Sequence, residues 1–113
     1  MDTDHLAEMF SAFGPVSIRR MFGGAGVYAD GTMFALVHDG TVYLKADDRT
    51  IATFEQERQH AFTYTAKNGK RAVMSYWSMP ERLYDDPEDL ACWARDALQA
   101  ARRSSISKVK SRR

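Results

Sequence analysis

Few side chains in this 113-residue chain combine the type and the spacing that chemistry requires. The run Gly23-Gly24-Ala25-Gly26 is the first candidate, because glycine-rich loops cradle phosphate when their N–H groups face the anion beside a helix N-terminus. Here Val27-Tyr28-Ala29 follows with a strand pattern, and there is neither a Gly-Lys-Ser/Thr ending nor an acidic ribose-binding residue in a βαβ context. The run therefore reads as a glycine bend or bulge. His5, His38 and His60 fall on a helix, at a strand end and in a loop, and none is paired at i+2 or i+4. With one distant cysteine, they do not supply the three or four convergent ligands of a zinc or iron site. Cys92 lies beside an apolar helical stripe, away from any helix N-terminus that would lower its pKa, and is expected to be a partly buried structural thiol. Asp47-Asp48 and Asp85-Asp86 serve as helix starts, while Ser75 and Ser78 lack a nucleophile elbow and read as outward or edge strand positions. No catalytic, metal or cofactor site is expected, and the remaining chemistry is that of binding.

Charge supplies the binding candidates. Arg19 and Arg20 are adjacent in a strand and point to opposite faces, so at most one heads toward a core; with Lys45 they are the candidate partner-binding residues. Tyr28, Phe34, Tyr43, Tyr76 and Trp77 are expected to be mostly core or cross-strand contacts, although such rings also stack on bases. The second candidate set is Arg102, Arg103, Lys108, Lys110, Arg112 and Arg113, for nucleic acid. These six cations, with no acid among residues 102–113, leave residues 1–101 with ten basic residues against 15 acids, a net charge of −5. An acidic body repels polyanions, so direct nucleic-acid binding would be weak and sequence-blind, working through the tail with a salt slope of about −5.

Positioning these groups takes a mixed set of elements. Leu6, Met9, Phe10 and Phe13 form one helical stripe with Thr3 as N-cap, stopped by Gly14-Pro15. From Val16 the period becomes two, predicting strands near 17–22, 25–29, 32–38 and 41–46, with Asp30-Gly31 and Asp39-Gly40 as hairpin turns. A second helix starting at Asp47 or Asp48 is anchored by Ile51 and Phe54. Phe62–Thr65 and Ala72–Ser78 form another hairpin around Lys67-Asn68-Gly69-Lys70. Asp86-Pro87 then opens a helix whose buried face is Leu90, Trp93, Ala94, Ala97, Leu98 and Ala101. The predicted fold is α+β: an antiparallel sheet of five or six strands covered by three helices, in the order α-β4-α-β2-α. Residues 1–101 make one domain and 102–113 a basic tail expected to fray or be disordered.

The remaining composition narrows the setting. With 44% hydrophobic and 27% charged residues the chain is neither largely disordered nor a membrane protein. Its start lacks the basic segment and apolar stretch of a secretory signal, and a lone cysteine forms no internal disulfide, so a cytoplasmic location is expected.

Three blocks in order, Arg19 to Gly31, Tyr43 to Lys45, and Met74 to Pro80 followed by Asp85-Asp86-Pro87, resemble the amino-terminal domain of the TfoX/Sxy family of bacterial competence regulators. The resemblance spans about Phe10 to Ala101. It implies a secretion-chaperone-like α+β fold, no catalytic residues, and a part in regulating transcription of DNA-uptake genes, where full-length members act with the cyclic-AMP receptor protein. Those regulators carry a second, helical carboxy-terminal domain where this chain has its short basic segment. The expected function is thus a regulatory module that binds a protein partner, such as a transcription factor or polymerase component, through a sheet face or edge. Homodimer formation through exposed sheet edges is compatible with this reading.

Overall fold

A computed structural model of the chain describes residues 2–21 and 23–111, with side chains placed through Ser104. The elements are α1 (Thr3–Met9), β1 (Ser17–Met21), β2 (Gly24–Ala29), β3 (Thr32–His38), β4 (Thr41–Lys45), α2 (Ile51–Gln56), β5 (Ala61–Thr65), β6 (Arg71–Ser78), a 3-10 turn (Glu81–Asp85) and α3 (Pro87–Ser111). The strands form one six-stranded sheet in the order β1-β2-β3-β4-β6-β5, with antiparallel neighbours throughout. The fold is the α+β arrangement expected from the alternation pattern.

Both Asp-Gly turns join strands tightly because each of the four residues takes positive φ: Asp30 (50°), Gly31 (78°), Asp39 (52°) and Gly40 (76°). That twist matches the right-handed twist of the flanking strands. A side chain at Gly40 meets no neighbour, so Gly40→Ala should cost only the left-handed backbone penalty, about 1–2 kcal/mol, read as a lower urea midpoint.

Cross-strand register sorts the side chains onto two faces. Ile18, Val27, Ala35, Leu44 and Trp77 lie in one cross-strand row, joined by Ala25, Val37 and Val42 in the next row on the same face. All three helices pack there. Phe10 from the first helical segment meets Phe34 at 5.5 Å between ring centroids, and Phe54 of α2 meets Trp77 and Trp93 of α3 at 6.1 and 5.1 Å. Leu90, Ala94, Ala97, Leu98 and Ala101 are buried along α3, with Trp93 partly so, as their spacing predicts.

At the open end of β4, where β6 has already stopped, the Tyr84 hydroxyl accepts from the Val42 N–H at 2.8 Å and the Met79 N–H donates to the Val42 carbonyl at 2.9 Å. Tyr84 of the 3-10 turn thus satisfies a backbone N–H that the sheet leaves over. Tyr84→Phe orphans a partly buried N–H and should cost about 1 kcal/mol in urea unfolding, while leaving the circular dichroism spectrum unchanged.

Several boundaries differ from the expectation for local reasons. Asp2, not Thr3, caps α1: its carboxylate accepts from the His5 N–H at 2.7 Å. α2 begins at Ile51 instead of at Asp47 or Asp48, because Asp47 closes a turn with the Arg49 N–H on its carboxylate and the Thr50 N–H on its carbonyl. Cys92 is exposed rather than partly buried, since it sits on the solvent side of α3. Ser78 is buried, its hydroxyl donating to Gln59 at 2.8 Å and accepting from the His60 N–H at 3.0 Å. Finally, α3 continues past Ala101 through Arg102 and Arg103 to Ser111, as no glycine or proline interrupts it. Among the described residues no helix is long and apolar enough to cross a membrane.

Candidate interaction face

Because every helix lies on one side, the other side of the sheet has no helical cover among the described residues. Its rows follow from the register: Arg19, Gly26, Leu36, Tyr43 and Ser78 in one, Ser17, Tyr28 and Met33 in the next, with Lys45 opposite Tyr76. Phe62 and Tyr64 of β5 extend the aromatic surface to the sheet margin. Phe62 lies 4.9 Å from Tyr43 and 5.2 Å from the His38 ring, and Tyr64 stacks on Phe62 at 6.3 Å. This face is built from aromatic rings that shelter one another. Gly26 belongs to it because a side chain there meets Tyr28, Met33 and Met21 at 3.0–3.3 Å; those three side chains close over the glycine.

Cations sit on the rings. The Arg19 guanidinium lies 5.5 Å from the Tyr28 centroid, and the Lys45 ammonium lies 5.1 Å from the Tyr76 centroid while donating to the Ser75 hydroxyl. Such contacts attract through the ring quadrupole and hold the charge at a defined place. Burial, with a smaller contribution from Tyr28, pushes the Tyr76 hydroxyl up to about 12, so this ring stays neutral at physiological pH.

Of the predicted partner-binding residues, the structure brings Arg19 and Lys45 to this face and sends Arg20 to the opposite one. There Arg20 lines a groove of about 540 Å³ with Leu6, Val37, Gly24 and Asp39. Of the five aromatic candidates, Tyr28, Tyr43 and Tyr76 belong to the helix-free face, whereas Phe34 and Trp77 belong to the helix side. His38 and His60 also pack against its rings, while His5 is exposed on α1. Among the described residues no three His, Cys, Asp or Glu side chains gather as metal ligands do.

None of the six strands contains an aspartate or glutamate. All 15 acids lie in helices, turns and loops, so the sheet is electrostatically distinct from what surrounds it. This segregation was readable in the sequence, but its consequence depends on knowing which face the helices leave bare.

Where its side chains are placed, the basic segment meets acids of the body. The Arg103 Nε donates to Asp47 at 2.6 Å, and Arg102 reaches Asp30 at 3.5 Å. Both cations are thereby directed at acids of the body, although the exposed Arg102 pair contributes little stability. Lys108 and Lys110 fall on α3 beyond the placed side chains, and Arg112 and Arg113 lie outside the described residues. Phosphate binding by Arg102 and Arg103 would first have to break both of these pairs.

The Arg103 hydrogen bond is the main reason the Asp47 carboxyl is held below its ordinary 3.8, against an opposing effect of burial. Arg82 does the same to Glu57, whose ordinary value is 4.5, while also bridging to Asp89 at the start of α3. A carboxyl with a lowered folded pKa contributes stability that is complete above its unfolded value and lost as pH falls through the folded one. Stability should therefore decline below about pH 4.5, and Asp47→Asn should flatten the part of that decline below about pH 3.8, measured as urea midpoints from pH 2 to 7.

Comparison with known proteins gives one family and two curated relatives. The family model described as the TfoX N-terminal domain matches residues 8–101. The chain is 29% identical over 106 residues to the DNA transformation protein TfoX1 of Aliivibrio fischeri (strain ATCC 700601 / ES114), covering 90% of this chain and 50% of that protein. It is 28% identical over 94 residues to Protein Sxy of Escherichia coli (strain K12), covering 83% of this chain and 44% of the relative. The chain thus spans about half the length of the curated relatives it matches.

Proposed function

As the chain belongs to the TfoX N-terminal domain family, we propose that it is a non-enzymatic regulatory module that binds a protein of the transcription machinery through the helix-free face of its sheet. The observation that carries this reading is the placement of Tyr28, Tyr43, Tyr76, Arg19 and Lys45 together on a face that no helix covers. Aromatic and arginine side chains are the residues that anchor protein interfaces. Two features weigh against a polyanion as the main partner. The charge of −5 over residues 1–101 repels it, and the rings of Tyr28 and Tyr76 already carry cations where bases would stack. The name of the Aliivibrio relative adds DNA transformation as the process in which such regulation would act.

Affinity capture from the native cell with quantitative mass spectrometry tests the proposal. Wild-type chain and the helix-side control Asp96→Lys should recover the same transcription-machinery component, and the double variant Arg19→Glu/Tyr28→Ala should recover at least tenfold less. Equal recovery by all three, or no such component with any of them, overturns it.

A further inference from the structure

Strand order places β5 at one margin of the sheet and β1 at the other, and the two margins are built differently. β1 reads Ser-Ile-Arg-Arg-Met, and charged side chains are a standard guard against edge pairing. β5 reads Ala-Phe-Thr-Tyr-Thr, with no charge, proline or glycine. The Ala66 N–H donates to the Lys70 carbonyl, which fixes the alternation: the backbone groups of Tyr64 face β6, and those of Thr63 and Thr65 face away from the sheet.

The hairpin that carries this edge differs from the rest of the body in charge and cover. Residues 58–80 hold Arg58, Lys67, Lys70 and Arg71 without a single acid, while the remainder of residues 1–101 has six basic residues against 15 acids. Lys67, Lys70 and Arg71 are exposed and take part in no ion pair among the described residues. The hairpin also carries both exposed large hydrophobic side chains of the described chain, Tyr64 at 46% and Val73 at 71%, one on each face. A bare edge, apolar side chains on both faces and a cluster of unpaired cations thus coincide on one arm.

We infer that the outer edge of β5 receives an extended acidic segment of a partner protein as a seventh strand. Backbone groups of Thr63 and Thr65 provide the ladder, Tyr64 provides an apolar contact on one face, and Lys67, Lys70 and Arg71 face its carboxylates. This rests on the protein-binding reading above and specifies the chemistry of the partner. Charge selects this occupant over two others. A second copy would bring a like-charged arm alongside, over five residues of strand. Nucleic acid would meet only four cations, with a salt slope of about −3.6 on duplex DNA, against an otherwise acidic body.

The probe is a twelve-residue capped peptide alternating glutamate with valine and threonine; a version with lysine in place of glutamate and a single-stranded DNA twelve-mer serve as comparisons. Binding is followed by NMR titration and amide hydrogen exchange on the full chain at low and high salt. The glutamate peptide should bind, slow exchange at Thr63 and Thr65, and weaken with added salt, while the lysine version and the DNA should not bind. Lys70→Glu/Arg71→Glu, at the exposed end of the turn and the start of β6, should weaken the peptide at least tenfold. Thr63→Pro, which removes an outward N–H, should do the same with its dichroism unchanged. No peptide binding, preferential DNA binding by the same residues, or slowed exchange at Thr63 and Thr65 on concentrating the chain alone each overturns the inference. Recovery of the same cellular partner by wild type and Lys70→Glu/Arg71→Glu also overturns it, while leaving protein binding through the sheet face intact. Recovery of no partner by either sinks the broader reading, and the peptide titration then judges the edge by itself.

Discussion

Phe34→Ala should lower the unfolding free energy by about 3–5 kcal/mol, the usual cost of emptying a buried aromatic site. Phe34 is fully buried and touches Phe10 at 5.5 Å and Phe13 at 5.0 Å between centroids. Its position comes from a bulge: Val27 pairs with Ala35 and Tyr28 with Met33, leaving Phe34 as the extra residue that turns to the helix side. The ring therefore ties β3 to Phe10 and Phe13, which follow α1. Against a total stability of about 5–15 kcal/mol, the loss is a large fraction. Urea unfolding should show it as a much lower midpoint, and Phe34→Leu should recover most of it. A loss below about 1 kcal/mol would mean that the first helical segment does not depend on this contact.

Gly24→Ala should be the costliest of the glycine substitutions, at about 3 kcal/mol. A Cβ there would run into the Val37 carbonyl oxygen, and that neighbour is backbone of the paired strand, which cannot swing aside as a flexible side chain does. Relief requires β2 and β3 to separate around the Gly24–His38 pair. Exchange at the Ala25 and Val37 amides should accelerate before exchange elsewhere in the sheet. Gly31→Ala is the comparison, since its positive φ is strained but nothing lies within 4 Å of the added carbon. If both variants lose the same stability, close strand approach is not what the glycine serves.

Much of the architecture was legible because it depends on local rules. Period-two runs marked the strands to within a residue or two, and the Asp-Gly pairs marked two hairpins because few other dipeptides accept positive φ twice in succession. The apolar stripe of α3 and its Asp86-Pro87 start were equally plain; the Asp86 carboxylate accepts the Asp89 N–H at 3.2 Å. The family resemblance rested on the same blocks and agrees with the matched domain. Less legible were features set by competition for a partner distant in sequence. Arg103 reads as a cation of the basic tail, but it is held by Asp47, 56 residues away. Ser78 looked like an outward strand residue, yet the loop before β5 folds over it.

What the linear order of residues determined is the set of elements, their turns and the segregation of acids out of the strands, because each depends on neighbours a few positions apart. Tertiary structure alone decided that β5 lies outside β6 at the sheet margin, that all helices gather on one face, and that Arg19 and Lys45 share the other face while Arg20 does not. Those outcomes depend on which long-range pairings bury the most apolar surface while satisfying the backbone. No local pattern encodes that balance, and it is what turns scattered aromatic and basic residues into a surface.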